Sequence, residues 1–193
     1  MLQNTTAAVG DTTGLVLAAG GSRRLGQPKQ LLPYKGATLL DAALDLARAS
    51  PLDQIIVTLG GAADEVRETV NLEGVEPVFV ESFGEGCASS IAAALPRVRG
   101  DTLVLLLGDQ PGVCPEAVRA VAETGAPMAA CRYEDGRGHP LAFSREMFGE
   151  LGSLHGDKGV WRLMDRGPVV EVPLQGRIPL DVDTWDDYRA VTA

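Results

Sequence analysis

The run Thr102-Leu103-Val104-Leu105-Leu106-Leu107 carries no polar residue at alternate positions, so a strand built from it is apolar on both faces and must be covered from both sides. That requirement selects a central strand of a mostly parallel sheet lying between two layers of helix. Further runs of strand length stand at Leu15–Ala18, Ile55–Leu59, Val75–Val80 and Met128–Cys131, and helical segments separate them. Residues Thr38–Ala49 place Leu39, Leu40, Ala43, Leu44 and Ala47 on one stripe, as a core-facing helix requires. Shorter surface helices are expected at Ala63–Val70 and at Pro115–Thr124, where Pro115 suits a first helical turn. The sequence therefore predicts an α/β fold.

After Arg132 the rhythm breaks into a turn-rich stretch, EDGRGHP, followed by a short strand, two helical pieces and the closing segment DVDTWDDYRAV. This reads as a substrate-side elaboration of the same domain. The first dozen residues, MLQNTTAAVGDT, are small and polar, with no cationic start and no apolar run. They read as a flexible tail (residues 1–12), neither signal peptide nor membrane anchor, ahead of a single domain at residues 13–193. Cys87, Cys114 and Cys131 are odd in number and lack CxxC spacing, which argues against a disulfide framework or a zinc site and for a reducing, cytoplasmic compartment.

A formal net charge of -9 repels a nucleic-acid backbone and leaves any polyphosphate ligand dependent on a local basic cluster. Such a cluster directly follows the first strand: Leu17, Ala18, Ala19, Gly20, Gly21, Ser22, Arg23, Arg24, then Leu25, Gly26 and Lys29. Glycines let backbone N–H groups turn toward anionic oxygens, and Arg23, Arg24 and Lys29 supply charge that the acidic remainder cannot. The stretch is neither a dinucleotide GxGxxG nor a P-loop; a glycine-rich surface turn with solvated cations is the plainer alternative.

Gly108-Asp109-Gln110-Pro111 closes the all-apolar strand, at the end where open α/β sheets bind ligands. Asp109 there is suited to a Mg²⁺ ion bridging phosphate oxygens, against the alternative of a turn aspartate. Near the C-terminus, Asp181, Asp183, Asp186 and Asp187 crowd four carboxylates into seven residues; such charges repel or share a cation. For Asp186 and Asp187 the first turn of a helix is the better reading, and Thr184 is placed to cap it. Ser89 and Ser90 follow a glycine-rich turn and offer hydroxyls to a base or ribose, or else cap a helix. Cys87 beside them reads as a small apolar residue.

The pattern LAAGxSxRxGxxKxLL, together with GDQP, resembles the MobA-like nucleotidyltransferase family and its molybdopterin cytidylyltransferase branch. The resemblance spans roughly Leu15 to Tyr188. It implies a Rossmann-like three-layer fold in which the glycine-rich loop wraps a triphosphate, with Lys29 and Arg24 (Arg23 as the second candidate) on its phosphates and Asp109 and Asp183 on Mg²⁺, Asp181 staying open as the alternative to Asp183. It also implies Ser89 and Ser90 beside the nucleotide. Gln110, Gly138, His139, Pro140, Gly156 and Asp157 would face the acceptor, although a loop histidine without chemistry is the commoner reading of His139 taken alone. The expected reaction is transfer of CMP from CTP to a molybdopterin-type acceptor with release of pyrophosphate, with a molybdoenzyme or its maturation chaperone as a further partner. A guanylyltransferase, a nicotinamide-dependent reductase and a non-catalytic cofactor carrier stay open at this point. Neither nucleic acid nor membrane is an expected partner.

Overall fold

The computed structural model describes residues 10–22, 24–82, 84 and 86–193. In chain order the elements are β1 (Thr12–Ala18), β2 (Pro33–Tyr34), β3 (Ala37–Thr38), α1 (Leu39–Ala49), β4 (Gln54–Leu59), α2 (Ala63–Thr69), β5 (Glu76–Phe79) and α3 (Cys87–Ala94). They continue with β6 (Thr102–Leu107), α4 (Pro115–Ala122), β7 (Met128–Tyr133), β8 (Gly136–Ser144), α5 (Phe148–Gly152), α6 (Gly159–Met164), β9 (Val170–Pro173) and α7 (Trp185–Thr192). Among the described residues, one seven-stranded sheet runs β5-β4-β1-β6-β8-β7-β9, and β2 with β3 forms a small ribbon. Within the large sheet β8 alone is antiparallel to its neighbours β6 and β7, while the β5–β4, β4–β1, β1–β6 and β7–β9 pairings are parallel.

Side chains alternate across the sheet, and the core divides accordingly. Val16, Val57, Val104 and Leu106 face one layer, where they pack with Leu40, Leu44 and Ala47 of α1, Val66 of α2 and Val118 and Val121 of α4. Leu15, Ile56, Leu103 and Leu105 face the other, with Ile91 of α3, Leu151 of α5 and Leu163 of α6. Both sets of β6 residues are buried, as the unbroken apolar run requires. Helix α1 begins where Thr38 caps it: Asp41 N–H donates to Thr38 Oγ1 at 3.0 Å, and Thr38 N–H donates back to the Asp41 carboxylate at 3.1 Å.

Several expectations need correction. Thr12, assigned above to the tail, is the first residue of β1 and is buried. The stretch EDGRGHP is not a run of turns: only its start turns, and Gly136 to Pro140 belong to the nine-residue strand β8. Pairing shifts register between Ala130 and Cys131, whose partners are Leu141 and Gly138, so His139 and Pro140 form a bulge where proline's missing N–H costs the ladder nothing. Strand β9 and the β2–β3 ribbon were not anticipated.

The chain passes from β1 outward to β4 and β5, then returns to place β6 on the other side of β1. The carboxyl ends of β1 and β6 therefore flank a topological switch point, the crevice where open α/β sheets take their ligands.

Candidate active site at the carboxyl ends of β1 and β6

A cleft of about 730 Å³ opens at this switch point, lined by Leu17, Ala18, Ala19, Gly20, Gly21, Ser22, Arg24 and Lys29 from the β1 end, and by Leu107, Gly108 and Asp109 from the β6 end. Its far wall carries Gly86, Cys87 and Ser90 of the α3 start, Asp157 and Lys158, and its floor Asp181 and Asp183. Arg23 lies outside the described residues.

The loop after β1 is held by a residue that sequence reasoning passed over. Gln30, only 3% exposed, donates its amide to the carbonyls of Ala18 at 2.6 Å and Gly20 at 3.0 Å. Lys29 N–H donates to Ser22 Oγ at 2.9 Å. The two Gln30 bonds satisfy carbonyls that a loop leaving a buried strand would otherwise leave unpaired. Leu25, the apolar residue between Arg24 and Gly26, does not face the cleft; it packs with Leu32, Leu39 and Val182 in a separate small core.

That core brings the C-terminus to the site. Val182 is fully buried against Leu25 and Leu32, and its N–H donates to the Asp109 carbonyl at 2.9 Å. Gln110 donates to the Pro179 carbonyl at 2.9 Å and to Asp181 Oδ1 at 2.6 Å, and Tyr188 donates its hydroxyl to the Pro33 carbonyl at 2.7 Å. Thr184 caps α7 in a box with Asp187, so Asp186 and Asp187 stand in its first turn as expected.

With the segment so fixed, the charges interleave. Lys29 Nζ pairs with Asp109 Oδ2 and lies 2.8 Å from Asp183 Oδ1, while Arg24 Nη2 lies 2.6 Å from Asp183 Oδ2. The Lys29 and Asp109 side chains are 15% and 14% exposed, so their pairing is little screened by water. Burial alone would favour the neutral amine of Lys29, but the charges and hydrogen bonds of Asp109 and Asp183 outweigh it and hold its pKa above the ordinary value. Burial raises the Asp109 carboxyl, with Lys29 opposing and Asp183 adding. Burial would raise Asp183 too, but Lys29 and Arg24 bring it below the usual range. Burial, then the Asp109 and Asp183 charges, push Asp181 up to about 6.

On the far wall, Gly86 adopts φ +100°, and a Cβ there would sit 2.6 Å from the Asp157 carboxylate. Only glycine permits the approach that lets Cys87 N–H donate to Asp157 Oδ1 at 3.1 Å. Burial and then Asp157 push the Cys87 thiol up to about 11, which leaves it protonated and unreactive. Ser90 lines the cleft. Ser89 does not: its hydroxyl donates to the Gly86 carbonyl at 2.7 Å and the Ser82 carbonyl at 3.1 Å, and it caps no helix N–H group. Gly156, at φ +73°, precedes Asp157 without lining the cleft.

Of the other residues expected to face an acceptor, Gln110 is buried behind the cleft as the strap on Asp181. Gly138, His139 and Pro140 lie on β8 outside the cleft lining. The His139 ring meets Trp161 edge-on at 5.5 Å, its carbonyl accepts from Tyr133 at 2.8 Å, and burial brings its pKa down to about 4. It is therefore neutral at physiological pH.

The profile of the MobA-like NTP transferase domain matches residues 14–172, which takes in most of β1, its loop, β6 and Asp109. The chain belongs to this family. Rv0371c of Mycobacterium tuberculosis H37Rv, known from crystal structures, is 54% identical with a TM-score of 0.90 over 94% of this chain and 97% of that one. A complex of the same protein with manganese is 52% identical, with a TM-score of 0.86 over 94% and 98% of the two chains. Nicotine blue oxidoreductase of Paenarthrobacter nicotinovorans is 31% identical over 78% of this chain and 82% of its own. Molybdenum cofactor cytidylyltransferase of Escherichia coli is 26% identical over 90% and 92%.

In this MobA-like NTP transferase the donors suited to a divalent cation are the carboxylates of Asp109 and Asp183. One cationic group, Lys29 Nζ, already reaches both. Among the described residues no three or more His, Cys, Asp and Glu side chains gather into a metal cage. Two carboxylates with the remaining positions left to phosphate oxygens and water is the usual habit of magnesium.

Proposed function

We propose that this MobA-like NTP transferase is a Mg²⁺-dependent cytidylyltransferase that moves CMP from CTP onto a molybdopterin-type acceptor and releases pyrophosphate. The observation that carries the reading is the cation–carboxylate set of Arg24, Lys29, Asp109 and Asp183, gathered in one cleft at the switch point of β1 and β6. An acceptor phosphate oxygen attacks the α-phosphorus as the bond to the β-phosphate oxygen breaks, and the pair of electrons leaves with pyrophosphate. Such transfers depend on alignment and on neutralising charge on the leaving group. Lys29 and Arg24 supply positive charge there; the backbone N–H groups of residues 19–22, in the loop held by Gln30, orient the phosphates. Asp109 and Asp183 would hold the metal, which when bound would supply charge neutralisation. An ionised phosphate monoester needs no general base, consistent with a neutral His139 and a protonated Cys87.

Cytidine is favoured over guanosine by LAAG and GDQP and by the Escherichia coli relative. The manganese in the Mycobacterium tuberculosis neighbour supports a divalent metal. Among the described residues no helix is long and apolar enough to cross a membrane, and we place the protein in the cytoplasm, handing its product to a molybdoenzyme or its maturation chaperone. The oxidoreductase relative favours one rival, a reductase consuming a reduced nicotinamide.

The test is a set of initial rates of pyrophosphate release with Mg²⁺, molybdopterin and CTP, GTP, ATP or UTP in turn. CTP is expected to exceed the others by at least about tenfold, because a site built to hydrogen-bond one base leaves buried groups unpaired with another. A GTP preference moves the activity to the guanylyl branch. Silence with all four, alongside oxidation of reduced nicotinamide, gives the reductase.

A further inference from the structure

We propose that Lys29 is the resident counter-cation of the carboxylates Asp109 and Asp183, and that this makes the site take divalent metal and triphosphate as a pair in preference to either alone. The inference rests on the nucleotidyltransferase reading above. Its basis is that one ammonium, Lys29 Nζ, is shared by the two carboxylates that would hold the metal. The other end of the residue is fixed: its N–H is held by Ser22 Oγ at 2.9 Å, and its Cε passes 4.0 Å from where a Cβ on Gly20 would lie. The stem thus runs along the glycine-rich loop while a flexible four-carbon chain carries the charge.

Three cases follow from this arrangement. Metal alone meets an ammonium at the carboxylates it needs, and like charges so close repel; Lys29 must leave with no anion to receive it. Triphosphate alone draws Lys29 off Asp109 and Asp183, and the uncovered carboxylates, with Asp181 beside them, face the phosphates. When both arrive, the metal covers the carboxylates and Lys29 moves onto a phosphate, so each charge keeps an opposite partner. The coupling is reciprocal: metal tightens triphosphate by the factor that triphosphate tightens metal. Arg24 differs, because among the described residues it pairs with Asp183 and not with Asp109, and its side chain is 65% exposed.

The experiment is a titration of the full-length protein with Mn²⁺ at neutral pH, following the electron paramagnetic resonance signal of free Mn²⁺, first without nucleotide and then with CTP, against a CTP-only blank that accounts for Mn²⁺ held by the nucleotide itself. Circular dichroism shows each variant folded. Without nucleotide, Lys29→Met is expected to bind Mn²⁺ about tenfold more tightly than wild type, within the usual span of coupling between sites, and Arg24→Met to change it by less than about threefold. CTP is expected to tighten Mn²⁺ strongly in wild type and weakly in Lys29→Met. Unchanged or weaker Mn²⁺ binding by Lys29→Met overturns the exchange. Asp109→Ala separates the two readings: if it loses Mn²⁺ while Lys29→Met is unchanged, the metal site stands and the exchange is wrong. Equal Mn²⁺ binding by Asp109→Ala and wild type overturns both.

Discussion

Replacement of Asp109 by alanine is expected to lower nucleotidyl transfer about a thousandfold, the scale of losing a preorganised electrostatic group at a site of developing charge. The residue stands just past β6, where its side chain lines the cleft and packs into neither core layer. The Val182 N–H bond that ties down the C-terminus goes to the Asp109 backbone carbonyl, which alanine retains. Lys29 keeps Asp183 as its partner. The melting temperature is therefore expected to stay within about 4 °C of wild type, the change that ~1 kcal/mol produces in a chain of this size. Parallel measurement of pyrophosphate release and thermal unfolding checks both halves. A large drop in melting temperature makes Asp109 structural, and full turnover with magnesium removes it from the mechanism.

Phe143→Ala is expected to act in the opposite way, destabilising by roughly 3–5 kcal/mol as large buried aromatics do. Phe143 is fully buried, sits opposite Leu103 on β6 and Met128 on β7, and packs in the layer that includes Leu151 and Leu163. Small side chains nearby, such as Ala94 and Ala130, cannot expand to fill the space it leaves. The expected drop in melting temperature is about 10 °C or more, with turnover per folded molecule close to wild type at 25 °C, because the residue is remote from the cleft lining. Calorimetry and an activity assay at low temperature check it; a melting temperature unchanged within about 2 °C contradicts the packing described here.

The three layers were legible because β1, β4 and β6 centre on apolar runs and α1 carries a stripe from Leu39 to Ala47. Strand β8 was not, because Gly136, Gly138 and Pro140 are turn formers by local chemistry. In the fold Gly138 serves packing: a Cβ there would come within 3.1 Å of Ile178 and of the Tyr133 ring. Ile178 lies forty residues away in the chain, and no local pattern reveals such a contact. Strand β9 is short, and its Val170 and Glu171 are both exposed, so it lacks the alternation that marks a strand.

The site divides along the same line. The glycine-rich loop and Asp109 were readable because charge and backbone freedom are local properties. The meeting of Lys29 with Asp183 spans 154 positions and depends on Val182 entering an apolar pocket made by Leu25, Leu32 and Leu39. The carboxylate cluster announced a cation there; only the fold says which one reaches it. Gln30 was passed over because a glutamine after a lysine reads as surface, whereas its amide is spent on the Ala18 and Gly20 carbonyls. Ser89 beside Ser90 shows the converse, since adjacent helical positions point in different directions.

The proposed reaction breaks the bond between the α- and β-phosphates of a nucleoside triphosphate and leaves the α-phosphate with the acceptor. The direct test incubates the protein with Mg²⁺, molybdopterin and CTP labelled in separate reactions at the α- or the γ-phosphate, and follows each label by chromatography. The expected result is α-label in a cytidine dinucleotide of the acceptor and γ-label in pyrophosphate, both lost on chelation of the metal. Label in free phosphate or CMP, or an unaltered triphosphate while reduced nicotinamide is oxidised, contradicts it.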